Sequence, residues 1–200
     1  DEAGNGMHVH LSVVDKDGNN VFTMDKNKQP QGLFSHAIGG LLKTTPDFLS
    51  FYAPHSNSYR RLVHNADHAP TTLSWGNENR TALIRLPEAS AKATRLEFRV
   101  ASADSNPYLV FASVLASVYS GIQGKLPLDK ETIGNAHAQH RPLLGVTWRE
   151  AVEKTSVSSL VKDFFGKQFQ QCYKCVKESE IKRFESTITD FEYHSYLRCL

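Results

Sequence analysis

Apolar and polar residues alternate along Met7-His-Val-His-Leu-Ser-Val-Val14, the period of a half-buried strand. Asp17-Gly18-Asn19-Asn20 then supplies turn chemistry, and Val21 and Phe22 resume the apolar signal, so the spacing predicts a hairpin. Between Leu33 and Tyr52 the period changes. Phe34, Ala37, Ile38, Leu41 and Leu42 recur at helical spacing, and Pro46 predicts a break or kink near the middle, giving one or two helices. Residues 54–61, rich in Pro, Asn, Ser and Tyr, read as a loop. A second irregular stretch, 64–70, leads into Thr71-Thr-Leu-Ser-Trp75, and strands are expected over 81–86 and 95–101.

Asn106-Pro107 reads as a helix start, with Asn as N-cap and Pro at the first helical position. The almost wholly apolar segment from there to Ile122 predicts a buried helix. After Gly124 the chain is punctuated by Pro127, Pro142 and Gly145, and Thr147-Trp-Arg-Glu150 has the form of a capping box. Helices are expected at 148–154 and 158–165, with a longer one over 167–187 carrying Phe169, Tyr173, Val176 and Phe184. No internal repeat or low-complexity tract interrupts this pattern.

Composition narrows the picture. With 200 residues and 40% hydrophobic content the chain can bury an ordinary core, which predicts one domain with a helical appendage. A net charge of +2 gives no broad basic field for nucleic acid or an anionic membrane. No apolar run approaches a membrane span, and Asp1-Glu2-Ala3-Gly4 is not a signal peptide, so the expected location is cytoplasmic. The chain lacks an initiator Met and enters a strand pattern at once, as a piece of a longer protein would. Cys172-Tyr-Lys-Cys175 has the spacing of a zinc or redox pair, but it lies in a charged helical pattern with no second pair at zinc-finger spacing, and we read it as helix thiols.

Two strands carry the chemistry. Alternation places His8, His10 and Ser12 on one face and Met7, Val9 and Leu11 on the other. Histidines two apart on a strand can both reach a metal or a phosphate, or they can decorate a solvated face; the pattern alone fits both. In the same way Arg95, Glu97 and Arg99 share one face against Leu96, Phe98 and Val100. An exposed ionic ladder would have this form too, yet Arg60, Arg61, Arg80 and Arg85 add to the nearby cations. Arginine forks suit carboxylate and phosphate oxygens, and one Glu among them can help hold a divalent cation, so the residues fit a site for a phosphorylated, carboxylate-bearing ligand as well as a structural ion-pair network.

Five motifs, in order and spacing, resemble the catalytic domain of glutamine synthetases: Gly4-Asn-Gly-Met-His-Val-His-Leu-Ser12, Asn57-Ser-Tyr-Arg-Arg-Leu-Val63, Asn79-Arg-Thr-Ala-Leu-Ile-Arg-Leu-Pro87, Arg95-Leu-Glu-Phe-Arg99 and Asn106-Pro-Tyr-Leu109. Ser74-Trp-Gly-Asn-Glu-Asn-Arg80 and Glu192-Tyr-His-Ser-Tyr-Leu197 are closer to the gamma-glutamylpolyamine synthetase branch, glutamate–putrescine ligases included. The resemblance implies an α+β fold, incomplete at its N-terminus: a curved, mostly antiparallel sheet with helices on one side and a helical tail. Residues 1–125 would form the sheet and buried helix, and 126–200 the helical part of the same domain.

The resemblance also implies roles. His8 and Glu97 would be ligands of Mg2+ or Mn2+; His10, Ser12, Lys92 and Arg95 would lie near ATP; Gly4, Arg61 and Arg99 would meet glutamate; Arg80 and Arg85 would meet the transferred phosphoryl group. The implied reaction forms gamma-glutamyl phosphate from glutamate and ATP, after which ammonia or a polyamine displaces phosphate. Family members are rings of subunits, which implies a homo-oligomer for the full-length form.

Two departures qualify the match. The stretch that normally offers a flap glutamate is here His64-Asn-Ala-Asp-His-Ala-Pro70, where Asp67 is the candidate replacement and an acceptor other than ammonia is expected. The upstream region, with most of the metal-binding glutamates, is not in this sequence, so the 200 residues alone are expected to bind ATP weakly and not to turn over. The alternative is a catalytically silent relative with a structural or regulatory role; a guanidino-kinase-type phosphotransferase would share the arginines but leave the His-x-His strand unexplained.

Overall fold

The computed structural model describes residues 5–63, 69–139, 147–197 and 199. The chain folds as α+β. Six short strands, β1 (Val9–Leu11), β2 (Thr23–Met24), β3 (Pro30–Gln31), β4 (Trp75–Asn77), β5 (Ile84–Leu86) and β6 (Leu96–Phe98), form a four-stranded sheet of order β1-β6-β5-β4 and a separate β2-β3 ribbon. β6 runs antiparallel to both β1 and β5, whereas β4 and β5 are parallel. Parallel neighbours usually need a long crossover. Here three-residue strands leave so little length to retrace that the short loop between Asn77 and Ile84 suffices.

The strand pattern placed the faces correctly. Val9, Trp75, Ile84, Leu86, Leu96 and Phe98 are buried in the core, while His8 and His10 stand on the opposite side. Directly opposite residues in paired strands share a face, and the register lines up His10, Glu97, Arg85 and Gly76 as one row across all four strands. The hairpin after β1 turns on Asp15, whose Oδ1 accepts the Asp17 and Asn19 N–H groups while Gly18 takes a φ of 82°. The β2-β3 ribbon, which the alternation did not reveal, repeats the device: Asp25 Oδ1 accepts from the Asn27 and Gln29 N–H groups, and Lys28 sits at φ 58° where the first turn has Gly.

Behind the sheet runs α1 (Leu33–Tyr52), unbroken through Pro46. An internal proline costs about 3 kcal/mol, but 14 of the 20 residues of α1 are buried and their packing outweighs that loss. Tyr52 meets Phe98 of the sheet edge to face at 4.9 Å. The segment read as a loop contains a short helix, α2 (Ser56–Arg61), whose start is satisfied by a box between His55 and Ser58.

The helix α3 (Pro107–Gln123) begins as expected, with the Asn106 side chain accepting from the Tyr108 and Leu109 N–H groups. It crosses α1 at Gly40 and Gly121, where a Cβ on either residue would overlap the backbone of the other helix. The expectation of a wholly buried helix is corrected: Tyr108, Phe111, Leu115 and Tyr119 form an exposed stripe on one side. Nearly every position of this segment is apolar, so periodicity could not separate an inner from an outer face.

The C-terminal part is helical: α4 (Trp148–Val157), α5 (Ser159–Phe165), α6 (Lys167–Glu185) and α7 (Asp190–Tyr196). Thr147 caps α4, Ser158 caps α5, and Gly166 at φ 84° turns the chain into α6. Phe169 and Tyr173 of α6 pack on Phe51 of α1, the latter pair at 4.7 Å. α7, unforeseen in the hydrophobic pattern, starts with a Thr189–Glu192 capping box. Cys172 and Cys175 are free thiols on the exposed side of α6.

A candidate active site on the polar face of the sheet

Glu97 is the centre of the polar face. Its side chain is only 4% exposed, and both oxygens are engaged: Oε1 by His8 Nδ1 at 2.9 Å and Arg99 Nη1 at 2.9 Å, Oε2 by Arg85 Nη1 at 2.8 Å. Burial on its own pushes the Glu97 carboxyl up, but the Arg85 hydrogen bond and the charges of Arg99 and His8 outweigh it and hold the group below the ordinary carboxylate range. Burial and the neighbouring Arg99 push His8 down, Glu97 opposing them, a shift that favours the neutral imidazole. A neutral imidazole beside an ionised carboxylate is the pair of donors a divalent cation needs.

The remaining cations sit around this pair. Arg99 also donates Nη2 to the Arg80 carbonyl at 3.1 Å, tying β6 to the loop after β4. Arg61, at the end of α2, donates to the Val100 carbonyl, and its guanidinium lies 3.3 Å from the position a Cβ would take on Gly6. Gly6 thus leaves room for the arginine beside the sheet. Arg95 donates Nε to His10 Nδ1 at 3.3 Å, placing those two residues at the outer end of the row. Lys92 lies in the turn before β6, which Asn20 pins by donating to the Lys92 and Thr94 carbonyls at 3.3 and 2.7 Å.

Among the described residues no side-chain hydrogen bond joins Ser12 or Lys92 to the Glu97 cluster; both are exposed along its border. Gly4 and Asp67 lie outside the described residues. Arg80 is exposed at the mouth of a neighbouring cavity of about 490 Å³, lined by Asn77, Glu78, Asn79, Thr132 and Asn135 among others. Asn79 shapes that loop, donating to the Thr132 and Gly134 carbonyls and accepting from Thr81.

Sequence reasoning passed over Glu78. Its Oε2 accepts from Arg85 Nη2 at 2.7 Å, so the Arg85 guanidinium is bridged between an inner and an outer carboxylate. An acidic residue next to the Asn79-Arg80 turn was a visible signal, but nothing in the spacing showed that the chain returns Arg85 beside it.

A cation fits part of this arrangement. The 2.9 Å between His8 Nδ1 and Glu97 Oε1 is the separation of two adjacent ligands on a cation with bonds of about 2.1 Å. Among the described residues no third His, Cys, Asp or Glu joins them. Such a pair makes a share of a coordination sphere.

The profile of the glutamine synthetase catalytic domain matches residues 1–196. The chain belongs to the glutamine synthetase family. Its relatives within that family differ in what they join. The chain is 33% identical over 192 residues to the gamma-glutamylputrescine synthetase of Escherichia coli K12, covering 96% of this chain and 40% of that protein. It is 34% identical over 189 residues to the gamma-glutamylethanolamide synthetase of Streptomyces coelicolor, covering 94% and 40%. The glutamine synthetase of Thermotoga maritima is 34% identical over 206 residues, covering 97% and 46%. This glutamine synthetase-type chain therefore spans less than half the length of these relatives. Among its described residues no helix is long and apolar enough to cross a membrane.

Proposed function

We propose that the protein to which this chain contributes is an ATP-dependent ligase joining the gamma-carboxyl of glutamate to an amine or ammonia through gamma-glutamyl phosphate. The observation that carries this reading is the buried Glu97 carboxylate with His8, Arg85 and Arg99 converging on it from three elements. With Arg61 and Arg80 close by, guanidinium groups outnumber carboxylates, and an anionic guest offsets the excess.

In this reading Arg61, Arg99 and Gly4 receive the glutamate carboxylates, and Arg80 and Arg85 stabilise the phosphoryl group in flight. His10, Ser12, Lys92 and Arg95 border the nucleotide, and Asp67 stands for the flap carboxylate. His8 and Glu97 would hold Mg2+ or Mn2+, which neutralises phosphate oxygens when bound. The chain's own contribution is positioning and fixed positive charge, which suit phosphoryl transfer because little covalent chemistry is asked of the protein. Three exposed free thiols suit a reducing compartment, and we place the enzyme in the cytoplasm as a homo-oligomer.

The test is ADP formation by the full-length protein with ATP, Mg2+ and glutamate, each of ammonium, putrescine and ethanolamine being added in turn. We expect ADP release that requires both glutamate and an amine, with an organic amine preferred to ammonium. A clear preference for ammonium refutes the acceptor assignment. Absence of glutamate-dependent turnover with every amine refutes the enzyme reading and leaves the silent relative. The 200-residue chain by itself is expected to bind ATP weakly and to be inactive, and turnover by it would refute the need for further metal-binding carboxylates.

A further inference from the structure

Glu78 occupies a backbone conformation that a side chain disfavours. Its φ is 51°, in the left-handed region where glycine, lacking a Cβ, sits with less strain. Strain of this kind persists where surrounding contacts fix it, and three hydrogen bonds do so here. The Glu78 N–H donates to the Leu86 carbonyl at 3.0 Å; its Oε1 accepts the Glu88 N–H; its Oε2 accepts from Arg85 Nη2 at 2.7 Å. The carboxylate thus closes the mouth of the β4–β5 pair and takes hold of the one arginine of β5.

The two carboxylates on Arg85 differ in their other duties. Glu97 is buried and serves His8, Arg85 and Arg99 together, and in the function proposed above it also serves a cation. A cation drawing on Glu97 oxygens weakens its hold on Arg85. Glu78 is half exposed, gives its side-chain ion pair to Arg85 with the charge of Arg80 nearby, and is no part of the His8–Glu97 pair. The Glu78 bond is also the largest influence raising the Arg85 guanidinium above its ordinary range.

We propose that Glu78 is a positioning residue for Arg85, an outer carboxylate that keeps the guanidinium over the polar face while Glu97 serves the cation. This rests on the ligase reading, and Glu78 itself touches none of the reacting atoms. Its test therefore has two arms on the full-length protein with Mg2+ present.

In the first arm, phenylglyoxal labelling of Arg85 is followed by mass spectrometry, with Arg149, paired to Glu185 on the helical part, as the remote reference. Losing a charge-assisted hydrogen bond should raise Arg85 labelling about tenfold in Glu78→Gln and Glu78→Gly, with Arg149 unchanged. Glu78→Gly relieves the backbone, so it separates loss of the clasp from loss of the fold. Unchanged Arg85 labelling in both variants overturns the proposal whether or not the protein is a ligase.

In the second arm, kcat should fall about tenfold in both variants with the KM for glutamate unchanged, and Glu78→Gln should add nothing in an Arg85→Ala background. Full additivity there overturns the proposal, because Glu78 would then act apart from Arg85. Faster Arg85 labelling in a protein without glutamate-dependent turnover would retain the clasp and sink the ligase reading.

Discussion

Replacing Glu97 by alanine removes the partner of three donors at once, and the structure shows which of them suffers. His8 is 35% exposed and Arg85 18%, and Arg85 keeps its bond to Glu78, so water and that carboxylate recover most of what those two lose, about 1 kcal/mol each. Arg99 is only 4% exposed, and it shares with Glu97 the most deeply buried ion pair of the three. Removing one member of a buried pair costs roughly 3–5 kcal/mol, so this pair dominates. We expect Glu97→Ala to lose about 4 kcal/mol, a large share of the ~5–15 kcal/mol that holds a domain folded.

Urea unfolding followed by circular dichroism, with divalent cations chelated so that metal binding plays no part, should show the midpoint falling by about 2 M. The control is Glu97→Leu combined with Arg99→Met, which removes both members of the buried pair. That double variant should regain most of the loss, as apolar replacement of buried ion pairs commonly does. A Glu97→Ala variant within about 1 kcal/mol of the parent, or a double variant no better than the single one, would refute the assignment of the cost to this pair.

At the α1–α3 crossing, Gly121→Ala should destabilise although alanine favours helix by about 1 kcal/mol, because its Cβ would overlap the His36 carbonyl and the Gly40 backbone, and separating packed helices costs ~1–3 kcal/mol or more; thermal unfolding decides, and an unchanged or raised Tm counts against so close a crossing. Glu131 gives a pH dependence. Burial pushes its carboxyl up, but hydrogen bonds from the Asn77 N–H and from the Gln29 and Asn77 side chains leave it below the ordinary range. A depressed folded-state pKa contributes stability that is complete above the unfolded value of about 4.3 and is lost as pH falls through the folded value. Glu131→Gln should therefore be about 1 kcal/mol less stable at pH 7, with the gap closing on acidification. A gap that is the same at pH 3 and pH 7 would show that the charge of Glu131 is immaterial.

Much of the site was legible because strand alternation is a local signal. His8 and His10 against Val9, and Glu97 and Arg99 against Leu96 and Phe98, were assigned to the right faces with no knowledge of which strands pair. The helix starting at Asn106 was equally local, since its cap and proline lie side by side. What escaped was decided at a distance. The parallel pairing of β4 with β5 depends on how the chain loops between them, and the bond from Glu78 to Arg85 follows from that pairing. Between the one helix and the two that Pro46 left open, the choice fell to one because the local cost of the proline is set against burial by partners far along the chain. The exposed stripe of α3 escaped for the opposite reason: a segment apolar on every side has no phase to read.

The row His10–Glu97–Arg85–Gly76 draws one position from each strand of the sheet. A strand can slip against its neighbour only in whole residues, and a slip of one turns every side chain over. If β1 moved by a single step, Val9 and Leu11 would face water and both histidines would enter the core, where nothing awaits them. The assembly of this face is thus all or nothing. Alternation that keeps the core apolar also sets the chemical groups in line, so the register that buries Val9 is the one that brings His10 beside Glu97.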